Sequence, residues 1–147
     1  VRVVGFDLGA RRIGVAVSDG TGTLASPRAT IERSGDHDAD RAALASMVRE
    51  LGAERVVVGL PLSLDGRRGP AARQAQVEAD ELAVVLAPQG IAVETFDERL
   101  TTVSAARALR AAGRDARAQR SRVDQSAAAV LLQAWLDGRV RSGGDDA

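Results

Sequence analysis

The sequence predicts an α/β fold on a five-stranded mixed sheet: a three-strand antiparallel meander plus two parallel strands, flanked by helices. Three observations predict it. Residues 3–31 carry three strand-like apolar runs separated by short glycine-bearing turns, and gaps that short join antiparallel neighbours. From residue 38 the apolar spacing changes to that of a helix, with partners at i, i+3, i+4 and i+7. Beyond that, helical stretches alternate with short continuous apolar runs, as expected for strands buried on both faces and joined by crossover helices.

Each element follows in order. Residues 1–8 form the first strand, Gly9-Ala10-Arg11 the turn, and RIGVAVS at 12–18 the second strand. Asp19-Gly20-Thr21-Gly22 turns into a third strand near 23–31, where Pro27 suits a sheet edge because proline cannot donate to a ladder. Leu44, Met47, Val48 and Leu51 predict an amphipathic helix over about 38–51, ended by Gly52. RVVVGLPL at 55–62 reads as a buried parallel strand. A polar loop from Ser63 to Gly69 follows, and Pro70 opens a helix that runs to Leu86. IAVETFDE at 91–98 is the next strand, then a helix at 102–112 ends at Gly113. A last helix spans 122–137 and Gly138 stops it. One domain over 1–138 and a disordered tail over 139–147 are expected. The succession βββ-α-β-α-β-α-α is that of the ribonuclease H-like architecture.

Composition narrows the function. The 147 residues carry no net charge and no cysteine, so disulfides and thiolate metal sites are excluded; a reducing cytosol fits. No stretch reaches the ~18 apolar residues of a membrane span, and no signal pattern opens the chain. A soluble, cytoplasmic protein is expected. Every basic residue is arginine, and seven of them fall within 99–122 against one acid, Asp115. Such a stripe suits phosphate contact, with a solvated helix face as the other reading. His37, the only histidine, lies in the polar stretch Gly35-Asp-His-Asp38 and reads as solvated loop, leaving histidine-driven general-base chemistry without support. Phe6, Phe96 and Trp135 all lie in apolar runs and read as core, so no platform for stacking bases is expected. Nucleic-acid binding would rest on arginine–phosphate contacts.

Three acids do not fit a solvated role. Asp7 interrupts an apolar strand between Phe6 and Leu8, where an unpaired buried charge costs several kcal/mol. Glu98 closes the strand at Phe96-Asp97-Glu98-Arg99. Asp124 shares a helical stripe with Ala128, Leu131 and Trp135. Three converging carboxylates repel one another unless a divalent cation joins them, and an all-oxygen set favours Mg²⁺ or Mn²⁺ over zinc. A pair of such ions about 3.5–4 Å apart clamps the attacking and leaving oxygens of a phosphodiester displacement. Other readings stand beside each acid. Asp7 also suits a turn acceptor shaping the Gly9 hairpin. Glu98 also suits an ion pair with Arg99, and Asp97 rivals it for the same role. Asp124 also suits a first-turn acid of a capping box begun at Ser121.

GFDLGARRIGVAVSD (5–19), VVGLPLSLDG (57–66), FDERLTT (96–102) and RVDQSAAAVLLQAWLD (122–137) resemble the four signature blocks of the YqgF/RuvX family. Arg11 stands where that pattern often has lysine, which keeps the charge. The resemblance implies a ribonuclease H-like fold related to the RuvC resolvases and a metal-dependent nuclease. It implies maturation of the 5′ end of pre-16S rRNA in ribosome biogenesis, with Holliday junction resolution as the alternative. Its active acids fall on Asp7, Glu98 and Asp124. Asp97, Arg99 and Thr101 belong to the DERLTT block, as groups that position Glu98 or contact phosphate. Arg11, Arg12, Arg67 and Arg68 are candidate substrate contacts, the last two on the glycine-rich loop 64–69, which also suits an ordinary surface loop.

Three classes of function follow. The first is a nuclease acting on structured precursor RNA or, as the alternative, on branched DNA, where paired cuts need a symmetric homodimer. The second is an ATPase of the actin/Hsp70 type, whose phosphate loop also begins Asp-x-Gly, as in Asp7-Leu-Gly9; two lobes close on nucleotide there, and this chain has residues for one. The third is a binding module that keeps the fold without the activity.

Overall fold

In a computed structural model, residues 1–63, 65–101 and 116–141 are described. The chain begins with a hairpin. β1 (Val3–Leu8) and β2 (Arg12–Ser18) are antiparallel, with Gly5 opposite Ala16 and Asp7 opposite Gly14. Gly9 closes the turn: its amide donates to Arg12 O at 2.9 Å, and a Cβ there would lie 2.6 Å from that same oxygen. β3 (Ala25–Glu32) adds antiparallel to β2, and the register shifts beside Pro27, as proline at an edge permits.

α1 (His37–Glu50) starts at the Asp36 cap, whose carboxylate accepts from the amides of Asp38 and Ala39 at 3.0 and 3.2 Å, satisfying donors the helix itself cannot. His37 is therefore the first residue of a helix and not of a loop, although it is exposed as expected. β4 (Arg55–Leu60) stops at Leu60, before Pro61, because proline has no N–H for the ladder. α2 (Pro70–Leu86) begins on Pro70 as the sequence predicts and buries Ala72, Ala75, Ala79, Leu82 and Leu86. A 3₁₀ turn (Ala87–Gln89) leads to β5 (Ala92–Asp97), and a second 3₁₀ turn spans Glu98–Leu100. The helix expected over 102–112 lies outside the described residues.

α3 (Ala116–Arg141) is longer at both ends than expected. Ala116 to Ser121 offer no apolar stripe, yet alanine, arginine and glutamine are strong helix formers. Position 124 thus lies inside the helix, which removes the capping-box reading. Gly138 does not stop the helix; an interior glycine costs only about 1 kcal/mol. Residues 139–141, expected in the tail, belong to α3; 142–147 lie outside the described residues.

The sheet order is β3-β2-β1-β4-β5, with β1, β4 and β5 parallel. Alternation along each strand sorts the faces. Val4, Phe6, Ile13, Val15, Val56 and Val58 pack against α1 and α2. Val3, Ala16 and Val57 pack against Ala128, Leu132, Trp135 and Leu136 of α3. Phe6 and Trp135 are core, as expected, and Phe96 packs half-buried on the α3 side. Burying each large side chain contributes about 1.5–3 kcal/mol. Among the described residues no helix is long and apolar enough to cross a membrane.

Polar contacts set how α3 lies on its face. Gln133 accepts from the Ala25 amide at 2.9 Å and donates to Thr23 O at 3.0 Å. The Trp135 indole donates to Glu94 at 2.8 Å, and Glu94 also accepts from Arg55 at 2.6 Å. Arg139 and Arg55 lie 5.2 and 5.9 Å from the Trp135 ring centroid, within cation–π range.

Candidate active site

Asp7 belongs to the α3 face of β1, because Val4 and Phe6 point the other way. It is 7% exposed. Its neighbour on β2 is Gly14. On β4 the pairing of Phe6 with Val58 brings Gly59 alongside. The carboxylate therefore stands in a row whose two adjacent positions carry no side chain, and at Gly59 that space is taken by other side chains.

Glu98 fills part of that room. It is 2% exposed and follows β5 with the same parity as Phe96, which packs on the α3 side. A Cβ on Gly59 would lie 2.8 Å from Glu98 Oε1 and 3.1 Å from its Cγ, so the side chain lies across Gly59 toward the row that holds Asp7. Two groups fix its backbone. Thr101 donates to Glu98 O through Oγ1 at 2.8 Å and through its amide at 3.0 Å. Asp97 caps the turn by accepting from the Arg99 amide at 2.9 Å.

Asp97 is not the equal of Glu98. It pairs in register with Leu60, on the other parity, and its carboxylate is taken up by Arg99, with Nη2 at 2.6 Å and Nε at 2.9 Å. The Arg99 side chain, then its amide, hold the Asp97 carboxyl below the usual range. Arg99 in turn is pushed above its ordinary value, first by that hydrogen bond. Asp97, Arg99 and Thr101 thus shape the turn that carries Glu98.

Position 124 lies four residues before Ala128 on α3, and its side chain is outside the described residues. Backbone register bears on it nonetheless. Val3 clusters with Trp135 and Leu136, while a Cβ on Gly5 would meet Leu132 Cβ at 3.0 Å and Ala128 O at 3.5 Å. The helix therefore runs antiparallel to β1. Two strand residues advance about 6.6 Å and four helix residues about 6 Å. The same progression sets Asp7 against the turn of α3 that carries position 124. Among the described residues no group of three potential metal ligands occurs.

The arginine-bearing loops gather at the same end of the sheet, beyond the carboxyl ends of β1 and β4, where open α/β sheets bind ligands. Arg11 is exposed in the hairpin turn and Arg12 opens β2 half-buried. In the loop after β4, Arg68 is exposed and Arg67 pairs with Asp65 at 3.1 Å. Gly66 (φ +86°) lets this loop approach Arg99, whose Nη1 would lie 3.2 Å from a Cβ there. A separate cavity of about 810 Å³ opens on the α1/α2 side between Gly9, Arg33 and Glu78 and holds neither Asp7 nor Glu98. Sequence reasoning missed Gly14 and Gly59; a glycine inside a strand is itself a signal of close approach.

A protein of Mycobacterium sp. (strain KMS) named "Putative pre-16S rRNA nuclease" is 50% identical over 138 residues, covering 94% of this chain and 80% of its own length. One of the same name from Anaeromyxobacter dehalogenans is 48% identical over 140 residues, covering 95% and 99%. Among solved structures, RuvC of T. thermophilus in complex with a Holliday junction substrate matches with a TM-score of 0.60 at 16% identity, over 97% of this chain and 96% of that one. The yeast mitochondrial Holliday junction resolvase Ydc2 matches with a TM-score of 0.54 at 9% identity, over 98% and 82%. At such identities the likeness is one of fold, and it confirms the ribonuclease H-like architecture. The family model described as "RuvX: Holliday junction resolvase" matches residues 1–138; the chain belongs to the RuvX family.

Proposed function

We propose that this protein is a metal-dependent nuclease that hydrolyses phosphodiester bonds in maturing the 5′ end of pre-16S rRNA. The observation that carries the reading is the pair of buried carboxylates, Asp7 and Glu98, at the carboxyl end of the sheet in a row cleared by Gly14 and Gly59. The names of relatives at about half identity supply the substrate class.

The residues fit a divalent cation. Their donors are hard oxygens, and Gly59 lets the Glu98 side chain lie where a Cβ would stand. Asp7, Glu98 and Asp124 would hold Mg²⁺ or Mn²⁺, one ion or two. When bound, such an ion supplies Lewis-acid stabilisation of charge developing on the phosphoryl oxygens. Asp7 and Glu98 supply negative charge in a water-poor setting, where electrostatic interactions are strong. Asp97, Arg99 and Thr101 hold the Glu98 turn. Arg11, Arg12, Arg67 and Arg68 contact backbone phosphates and orient the strand without reading its sequence. The cysteine-free composition suits work in the reducing cytoplasm.

The test is cleavage of precursor rRNA and of a four-way DNA junction by the wild type and Asp7→Asn, with and without Mn²⁺. The reading expects metal-dependent RNA cleavage by the wild type alone, with binding retained in the variant. Preference for the junction, with paired cuts by a homodimer, would move the assignment to resolution. Binding without cleavage of either substrate would reduce the protein to a binding module.

A further inference from the structure

Arg33 follows the edge strand β3 and meets the β1–β2 turn at two points. Its amide donates to Arg11 O at 2.9 Å, and its Nε donates to Gly9 O at 2.7 Å. The far end of the guanidinium is taken by Glu78 of α2, with Nη1 on Oε1 at 2.8 Å and Nη2 on Oε2 at 3.1 Å. Both side chains are 13% exposed. Glu78 shares a helix face with the buried Ala75 and Leu82, three and four residues away, so α2 turns this acid toward the body of the protein.

Stability alone does not account for the arrangement. A buried ion pair gains little over apolar side chains of the same size, because both charges must leave water. What the pair supplies is direction. A bidentate carboxylate holds the planar guanidinium in one orientation, and that orientation puts Nε on Gly9 O. On this side the turn borders the cavity of about 810 Å³, which Gly9, Ala10 and Arg11 help to line, rather than a packed wall. The Arg33–Glu78 pair lines the same cavity and ties the turn to α2.

The turn matters for what it carries. Asp7 stands two residues before Gly9, and the exposed Arg11 stands two residues after it. We infer that Arg33 is a positioning residue for substrate: held by Glu78, it fixes the Gly9–Arg11 turn and so sets the place from which Arg11 meets a nucleic-acid phosphate near Asp7. The phosphate contact rests on the nuclease reading; the clamp on the turn does not.

Arg33→Met alone would strand Glu78 without its cation, so the test uses the full chain carrying Arg33→Met and Glu78→Met together. Apolar chains of similar length then replace the pair, and stability in urea is expected to stay near that of the wild type. Two readouts follow. The first is hydrogen exchange of the Gly9 amide, which donates to Arg12 O at 2.9 Å across the turn. Exchange is expected to quicken about tenfold, the scale of one lost charge-assisted hydrogen bond, with the Val15 amide of the core unchanged. Unchanged exchange at Gly9 overturns the clamp. The second is cleavage of precursor rRNA with Mn²⁺. KM is expected to rise about tenfold with kcat level, the signature of binding that ground and transition states share. An unchanged KM, or a fall in kcat alone, overturns the substrate role. Glu78→Gln keeps the shape of the acid but one acceptor oxygen, and is expected to move both readouts the same way by less; should the double variant unfold, it decides both. A wild type that cleaves no RNA removes the substrate role together with the nuclease reading, and exchange at Gly9 still decides the clamp.

Discussion

The Glu98 carboxylate takes the place of a side chain on Gly59: a Cβ built there would lie 2.8 Å from Oε1. A second neighbour, Leu131 Cδ2, would lie at 2.9 Å. Both are ends of flexible side chains and can give way. Gly59→Ala is therefore expected to cost about 1 kcal/mol of stability, the low end for overpacking. Cleavage should suffer more than stability, because the group that moves is a proposed ligand. Urea unfolding beside metal-dependent cleavage separates the two, and an alanine variant that keeps wild-type activity would detach Glu98 from the chemistry.

Asp7→Asn keeps the shape of the side chain and removes a charge from a position 7% exposed. Metal-free thermal stability is expected to hold or rise, because taking a charge out of water is costly. Turnover is expected to fall by about 10²–10³-fold or more, the scale of losing one electrostatic stabiliser. Comparing melting temperature and single-turnover rate checks both. Inactivity together with unfolding would point to Asp7 as a structural group.

Asp97 and the loop arginines should separate kinetically. Asp97→Ala removes the cap that accepts from the Arg99 amide at 2.9 Å, worth about 1 kcal/mol. It also loosens the Glu98 turn. A fall in kcat with little change in KM is the expected signature. Arg68→Ala, at an exposed position, should raise KM and leave kcat level, because phosphate contacts position the strand. Salt titration of binding checks the second effect: taking one arginine off a phosphate flattens the dependence of affinity on salt.

Asp40 links stability to pH. It is 8% exposed and accepts from Ser34 Oγ at 2.8 Å and from the Ser34 amide at 3.1 Å. The Ser34 hydroxyl, then its amide, hold the carboxyl below its ordinary 3.8. A lowered folded value means the unfolded chain takes up the proton first as pH falls. The stabilisation is thus full above 3.8 and is lost as pH drops through the lower folded value. Ser34→Ala should make the protein less stable than wild type at about pH 6, with the gap closing below 3.8. Urea unfolding at a series of pH values measures this, and a gap independent of pH would contradict it.

The sequence by itself determined the strand meander, the helix that opens on Pro70 and the order of the described elements, because these are set by apolar period and turn residues within a few positions of each other. It also singled out Asp7 and Glu98, since a carboxylate inside an apolar run is locally anomalous. The limits of α3 were not legible. Its first turns carry no apolar stripe, and the helix continues past Gly138 to Arg141, with Arg139 over the Trp135 ring. Choosing Glu98 over Asp97 also needed the fold: adjacent residues on a strand face opposite sides, and only the pairing of β4 with β5 says which side meets α3. Gly14 and Gly59 gained meaning in the same way. Within the β1–β2 hairpin the short turn sets the register, but the row reaches Gly59 only through the pairing of β1 with β4, two strands that a long crossover joins.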